Sequence, residues 1–436
     1  MSKIGEMSTF QIVLMTSFGV AAVMAVAVFA LGSFGPGGGP AKVHLWGSME
    51  ERLVSDWIEK TFEENEELVV EYRYIPIERF DRELLEAMAM GQGPDLVLIS
   101  QDQIVEHNRR ILTISFSSFS ERQFRDTFVQ AGEVFLNREE KYSYGFPVLI
   151  DPVVMYWNRD LVRESGYIRP PERWGDFPEF VSGTVRKQGT EINRSSVALG
   201  EYENIEHSKE ILSTLILQAG GGIIKKDTGR FTAIINERTD KPVKPAVMSL
   251  LFYTEFSNPE KSAYSWNRDL NNSLKSFIDE NLVVYFGTAS DVVRIREQNP
   301  YLDFDVATVP ENDEGRSVSN SNVLGLAIMK STRNTHASFS VLSSLTSSQS
   351  LKILSDSLNG VPPSRSDMLS SSPGEPFYRP VFYRAARSSL SWVDPSPKNV
   401  DSILQKMVED VVDREVKVTE AVERAHMEIY NLLKDR

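Results

Sequence analysis

The chain has 436 residues, 41% hydrophobic and 10% aromatic, which is enough for more than one core and above the size at which a single core stops growing. Its net charge of −14 comes from 47 basic and 61 acidic residues, with no basic cluster beyond pairs such as Arg109-Arg110 and Lys225-Lys226, and argues against a nucleic-acid partner. Lack of cysteine excludes disulfides, thiolate metal sites, cysteine nucleophiles and a lipidated N-terminal cysteine, and the five scattered histidines have no metal-binding spacing, so neither a metal nor a cofactor is expected.

Residues 1–11 read as a short cytoplasmic N-terminus, and Ile12 to Leu31 form an uncharged apolar run. At 1.5 Å rise per residue the run matches the ~30 Å of a bilayer core. It is either a retained transmembrane anchor, which its length favours, or a removable signal segment with Val28-Phe29-Ala30 as the cleavage site. Both place the rest of the chain on the extracytoplasmic face of the cell membrane, anchored in the first case and secreted in the second. The glycine- and proline-rich residues 32–41 are a flexible linker.

Val43 to Trp46 reads as a strand, and Ser48-Met49-Glu50-Glu51 has capping-box spacing ahead of a helix with Leu53, Val54, Trp57, Ile58 and Phe62 on one face. Val69 to Ile75 is a second strand, followed by a helix burying Phe80, Leu84, Leu85 and Met88 and ending at Gly91. Pro94-Asp95 opens a third strand, Leu96 to Ile99. A βαβαβ order implies a parallel sheet whose ligand crevice lies at the carboxyl ends of its strands, here Trp46-Gly47-Ser48 and Ser100-Gln101-Asp102. Trp46 reads equally as core packing, and Ser48 equally as a helix cap.

The stretch Lys141 to Val162 holds two apolar runs, Phe146 to Ile150 and Val153 to Trp157, separated by Asp151-Pro152. An aspartate inside buried sequence must be paired or line a cleft, and a proline breaks the sheet ladder. This pattern reads as a strand leaving one domain, an acid at the junction and a strand entering a second domain, with Asn158 capping the next helix. A single bulged strand within one sheet is the alternative. Gly220-Gly221-Gly222 follows a helix and reads as its stop, without phosphate-loop spacing. Near the C-terminus two helical stripes appear, Ile403, Leu404, Met407, Val408, Val411 and Val412, then Val422, Ala425, Ile429 and Leu432. No nucleophile elbow, P-loop or His-Glu-x-x-His occurs, so an enzyme is not expected.

The segments Val43 to Ile99, Tyr144 to Gly166 and Pro170 to Phe180 resemble the family 1 extracellular solute-binding proteins of ABC importers, the maltose-binding-like, carbohydrate-binding group. The resemblance continues through Leu215 to Gly221, Glu280 to Gly287, Phe304 to Pro310, Gly325 to Lys330 and Asn359 to Arg365. It implies an α/β, two-lobed periplasmic-binding-protein-like (type II) fold with a hinge and a central ligand cleft, preceded by the N-terminal transmembrane helix. Residues 42–150 and 310–348 would form lobe one, and 151–309 with the C-terminal helices of 349–436 lobe two. The chain crosses at Leu149 to Val154 and returns at Ala307 to Glu311.

Carried over by position, the family's ligand contacts fall on Trp46, Gly47, Ser48, Asp102 and Asp151, on Glu201, Tyr202 and Asn204, on Thr288, Ser290 and Asp291, and on aromatics at Tyr378 and Tyr383. Ionised carboxylates accept sugar hydroxyls, and aromatic faces take sugar C–H groups. Ile99 and Ala289 stand where some sugar-binding members have tryptophan, so the resemblance implies a carbohydrate or similar polyol and not maltose in particular. The implied partners are a small-molecule ligand, the permease subunits of an ABC importer and the membrane, for a monomeric protein. A polyamine- or peptide-binding receptor of the same fold, an anchored sensor domain and, more remotely, a glycoside-acting enzyme are the alternatives.

Overall fold

The computed structural model describes residues 40–65, 67–227, 230–240, 242–370 and 374–434. The Ile12 to Leu31 segment lies outside them, and among the described residues no helix is long and apolar enough to cross a membrane.

The expected parallel βαβαβ unit is present. Ala41–Gly47 pairs in parallel with Leu68–Tyr74 on one side and Leu96–Ser100 on the other. The intervening helices Glu51–Phe62 and Ile77–Ala89 cover the sheet with Val54, Trp57 and Ile58 and with Phe80, Leu84 and Ala87. Gly91 ends the second helix at φ +70°, a conformation that costs glycine little. The capping box did not form. Glu50 stands at the N-cap with no side-chain hydrogen bond, so Ser48 lies two residues too early to serve the helix and instead edges a shallow hollow with Tyr74 at the strand ends.

The junction falls inside the expected crossing, Leu149 to Val154, but on one strand where two were expected. Phe146–Asn158 is one continuous strand of a nine-stranded sheet, and its neighbours change midway. Its first half, Phe146 to Pro152, pairs antiparallel with Ser321–Ile328 of lobe one, and its second half, from Val153, pairs with Leu282–Thr288 and Phe304–Thr308 of lobe two. The partners change at Asp151-Pro152-Val153. A proline is tolerated there because its missing donor falls where one ladder stops and the next begins. Asn158 Oδ1 accepts Leu161 N–H at 2.9 Å, the expected helix cap. Along the whole sheet the order is Leu68–Tyr74, Ala41–Gly47, Leu96–Ser100, Ser321–Ile328, Phe146–Asn158, Leu282–Thr288, Glu191–Val197, Arg186–Gln188.

The return to lobe one comes later than the expected Ala307 to Glu311. Glu311 N–H still donates to Glu172 O of lobe two, and the chain crosses only at Asn320-Ser321. A third crossing lies alongside: Leu390 bridges Asn320, and Ser321 N–H donates to Leu390 O at 2.9 Å. Lobe one also extends past residue 348. The helix Ser348–Ser357 packs on Glu51–Phe62, with Trp57 Nε1 donating to Ser350 Oγ at 2.8 Å, and Ser364 N–H donates to Val148 O. The C-terminal helices Pro397–Val412 and Val418–Leu433 pack on Pro245–Glu255 of lobe two through Val400, Leu404, Met407 and Val408 and through Ala421, Val422, Ala425 and Ile429.

Gly145 enters the crossing strand so close to its neighbour that an added Cβ would collide with the backbone carbonyl oxygen of Leu326. Backbone cannot give way as a side chain can. Gly145→Ala is expected to cost at least about 2 kcal/mol, read as a lower urea midpoint with an unchanged slope.

Candidate functional site: the interlobe crevice

Where the third strand of lobe one ends, Gln101-Asp102 turns toward lobe two. Asp102 Oδ1 accepts Asp394 N–H at 2.7 Å, and Asp394 Oδ2 in turn accepts the Lys209 ammonium at 2.6 Å. The three residues sit on lobe one, the third crossing and the first turn of the lobe-two helix Ser208–Gln218. Lys209 Nζ also lies 5.1 Å from the ring centroid of Trp392, within cation–π range. These side chains, with Gln101 and Asn320, line a cavity of about 20 Å³ between the lobes.

Burial pushes the Asp102 carboxyl up to about 7, although the Lys209 ammonium and the Asp394 N–H pull the other way. Burial also opposes the charge on Lys209, but the Asp394 and Asp102 carboxylates outweigh it and hold the ammonium above its ordinary pKa. The crevice can therefore offer a hydroxyl-bearing or cationic ligand three carboxyl groups, Asp102, Glu210 and Asp394, with one ammonium and one indole.

Asp151 stands next to this crevice, because it pairs directly with Asn322, whose Oδ1 accepts Gln101 Nε2 at 3.4 Å. The half-buried Asp151 carboxylate accepts Ser290 N–H at 2.9 Å and Ser290 Oγ at 2.6 Å. Burial raises it to about 6 against those two hydrogen bonds. Behind it Asp291, 2% exposed, accepts Tyr285 OH at 2.7 Å and Thr288 N–H at 3.0 Å and pairs with His207 Nε2 at 2.9 Å. Burial works against the His207 imidazolium, yet Asp291 raises it to about 9. Thr288, Ser290 and Asp291 thus form a support that fixes Asp151 from below.

The other expected contacts are elsewhere. Trp46 lies under the Arg73 guanidinium at 4.5 Å, and Gly47 and Ser48 are beside it at the outer strand ends of lobe one. Inside lobe two, Glu201 lies 3.6 Å from Arg268, Tyr202 OH donates to Asp401 at 2.7 Å, and Asn204 is spent on Asn267 O, Leu270 O and Trp266 Nε1. Tyr378 packs on Phe304 and Phe382, and Tyr383 is buried with its hydroxyl 3.5 Å from Ser355 Oγ. None of these lines the crevice.

Sequence reasoning missed Lys209, Asn320, Trp392 and Asp394. Lys209 did carry a signal: a lysine in the first turn of a helix opposes the macrodipole and needs a partner. Among the described residues no cluster of three or more His, Asp or Glu could hold a metal ion.

A protein of Brucella abortus (strain 2308), named as a binding protein, is 23% identical over 123 residues, and the chain matches 29% of its length and 28% of its own. The structure resembles the cyclic α-maltosyl-1,6-maltose binding protein of Arthrobacter globiformis at 14% identity and TM-score 0.76, over 91% of this chain and 100% of that one. It also resembles the sugar-binding protein MalE of Xanthomonas citri (17%, TM-score 0.73, 91% and 98%) and a solute-binding protein of Thermotoga lettingae TMO bound with α-D-tagatose (18%, TM-score 0.65, 90% and 99%). At these identities the likenesses establish the fold: two α/β lobes about a crevice. The profile of the bacterial extracellular solute-binding protein family matches residues 57–375, well over half of the sequence, and the chain belongs to that family.

Proposed function

We propose that this protein captures a carbohydrate between its lobes on the extracytoplasmic face of the membrane and delivers it to the permease subunits of an ABC importer. The observation that carries the reading is the meeting of Asp102, Lys209, Trp392 and Asp394 from both lobes and a crossing at one crevice. Buried carboxylates accept hydroxyls with charge-assisted bonds, and an indole face suits sugar C–H groups. Fold relatives that bind cyclic maltosyl-maltose and tagatose support the same ligand class. In this reading Asp102 and Asp151 contact the ligand, Ser290, Thr288 and Asp291 position Asp151, and the protein releases its ligand chemically unchanged. The Ile12 to Leu31 segment would keep it at the membrane.

The test is thermal unfolding of the purified protein with sugars, polyamines and short peptides. A ligand at about 100 times its Kd should stabilise by ~2.7 kcal/mol. Stabilisation by sugars and not by spermidine is expected, with the full-length protein sedimenting with membranes. A response to spermidine alone would favour the second reading, a cation receptor. That reading rests on the crevice's excess of acid, since Asp102, Glu210 and Asp394 face a single lysine, Lys209.

A further inference from the structure

Asn320 is 5% exposed, yet its Oδ1 is buried with no hydrogen-bond partner among the described residues. Its backbone is tied three ways. The N–H donates to Thr214 Oγ1 of the lobe-two helix at 2.9 Å, the carbonyl accepts Val153 N–H of the crossing strand at 2.9 Å, and the residue bridges Leu390 of the third crossing. The side chain is thus fixed at the point about which the lobes are joined, and it borders the cavity shared by Asp102, Lys209 and Trp392.

Beside it Ser319, Ser321 and Ser391 also carry buried hydroxyls without a partner among the described residues, but none of the three lines the cavity. Gln101 Oε1 accepts Val323 N–H at 2.8 Å and Gln101 Nε2 donates to Asn322, while Asp102 takes Asp394 N–H and Lys209 donates to Asp394. Of the buried side-chain atoms without a partner among the described residues, the one whose residue lines the cavity is Asn320 Oδ1. A buried acceptor without a donor lowers stability, and such groups in folded proteins call for an explanation in function or in a bound group. The cavity of about 20 Å³ has room for one small polar group and no more.

We propose that Asn320 is a specificity-determining residue of this crevice, accepting a hydrogen bond from a terminal hydroxyl of a neutral polyol. A nook one group wide admits the end of a ligand and not a ring in the middle of a chain. The Lys209 ammonium at its wall disfavours a second cation. The proposal rests on the carbohydrate reading and narrows it to a ligand end.

The test is titration calorimetry of the full protein with D-glucose, D-tagatose, maltose, maltotetraose and spermidine, alongside Asn320→Leu, which keeps the shape and removes the acceptor, and Asn320→Ala. The tightest ligand is expected to be one of the sugars, and both variants should bind it at least tenfold more weakly. The unliganded Leu variant should melt at the same temperature as the parent or higher, because the unpaired polar atom is gone, an outcome that a purely structural asparagine would not give. Unchanged affinity with a lowered melting temperature overturns the proposal, as does tightest binding of spermidine. Sugar binding indifferent to Asn320 overturns this inference alone, whereas binding of no sugar by the parent protein overturns the carbohydrate reading with it.

Discussion

Replacing His207 should remove about 3 kcal/mol of stability at pH 6.5 and abolish most of the loss of stability that the parent protein shows between pH 6.5 and 9. The imidazolium is held at about 9 by Asp291, above its ordinary 6.5. A group whose pKa is raised on folding stabilises fully below its unfolded pKa, and the contribution disappears as pH rises through the folded value. A displacement from 6.5 to about 9 corresponds to about 3 kcal/mol. Asp291 has the opposite sign: its lowered pKa contributes stability above the ordinary carboxylate range and loses it toward acid. The pair is therefore most useful between mildly acidic and neutral pH. His207 also adopts φ +61°, which alanine tolerates poorly, so His207→Asn is the better variant, since asparagine accepts the left-handed region. Urea unfolding at pH 6.5 and pH 9 checks the effect. Equal stability of variant and parent at pH 6.5, or a parent with no decline toward pH 9, would show that Asp291 is satisfied by Tyr285 and Thr288 alone.

The parts of this fold that could be read beforehand are those whose cause is local. Alternating strands and amphipathic helices between residues 41 and 100 announce a parallel sheet because each helix carries the chain back to the start of the next strand, and the inner strand Leu96–Ser100 is buried on both faces. Asp151-Pro152 was legible as a junction because an acid and a proline together cannot continue an ordinary buried ladder. The single strand spanning both lobes was not, since a shared strand and two separate strands leave the same residue pattern. Ser48 illustrates the limit of spacing rules: the capping-box pattern is present, but the first turn starts at Glu51.

The crevice itself was half legible. Asp102 and Asp151 follow strands and could be placed at strand ends. Their neighbours come from distant chain: Asp394 is 292 residues from Asp102, and Asn320 meets Thr214 across 106. Conversely, Glu201, Tyr202 and Asn204 occupy a loop that the family resemblance places at the ligand, but their polar atoms are consumed by Arg268, Asp401 and the backbone at Asn267 and Leu270. Only the tertiary packing of the C-terminal helices on lobe two decides that.

Asp102 is where the largest effect on binding is expected, and its behaviour with pH separates the ligand classes. Its only hydrogen-bond donor among the described residues is Asp394 N–H, and burial holds its carboxyl near 7. If the ligand is a neutral sugar, the ionised form binds better, because a carboxylate accepts a stronger bond than a neutral acid. Affinity should then rise from pH 6 to pH 8. Asp102→Asn keeps one acceptor oxygen, shared between Asp394 N–H and the ligand, and replaces the other with an amide donor, so it should lose on the order of 1 kcal/mol at pH 8 and bind almost independently of pH. Asp102→Ala leaves the Asp394 N–H unpaired, which lowers folding stability, and leaves the ligand hydroxyl without its acceptor, which should cost roughly 1 to 3 kcal/mol of binding, or about fivefold to over a hundredfold in Kd. A cationic ligand gives another pattern. Asp102→Asn would then remove an ion-pair partner and cost roughly 2 to 5 kcal/mol by itself, with affinity falling steeply as salt is added. Calorimetry of the three proteins at pH 6 and pH 8, each at low and physiological salt, distinguishes the two. The sugar pattern is the expected one, and equal affinities for the parent, Asn and Ala proteins would mean that the ligand does not reach Asp102.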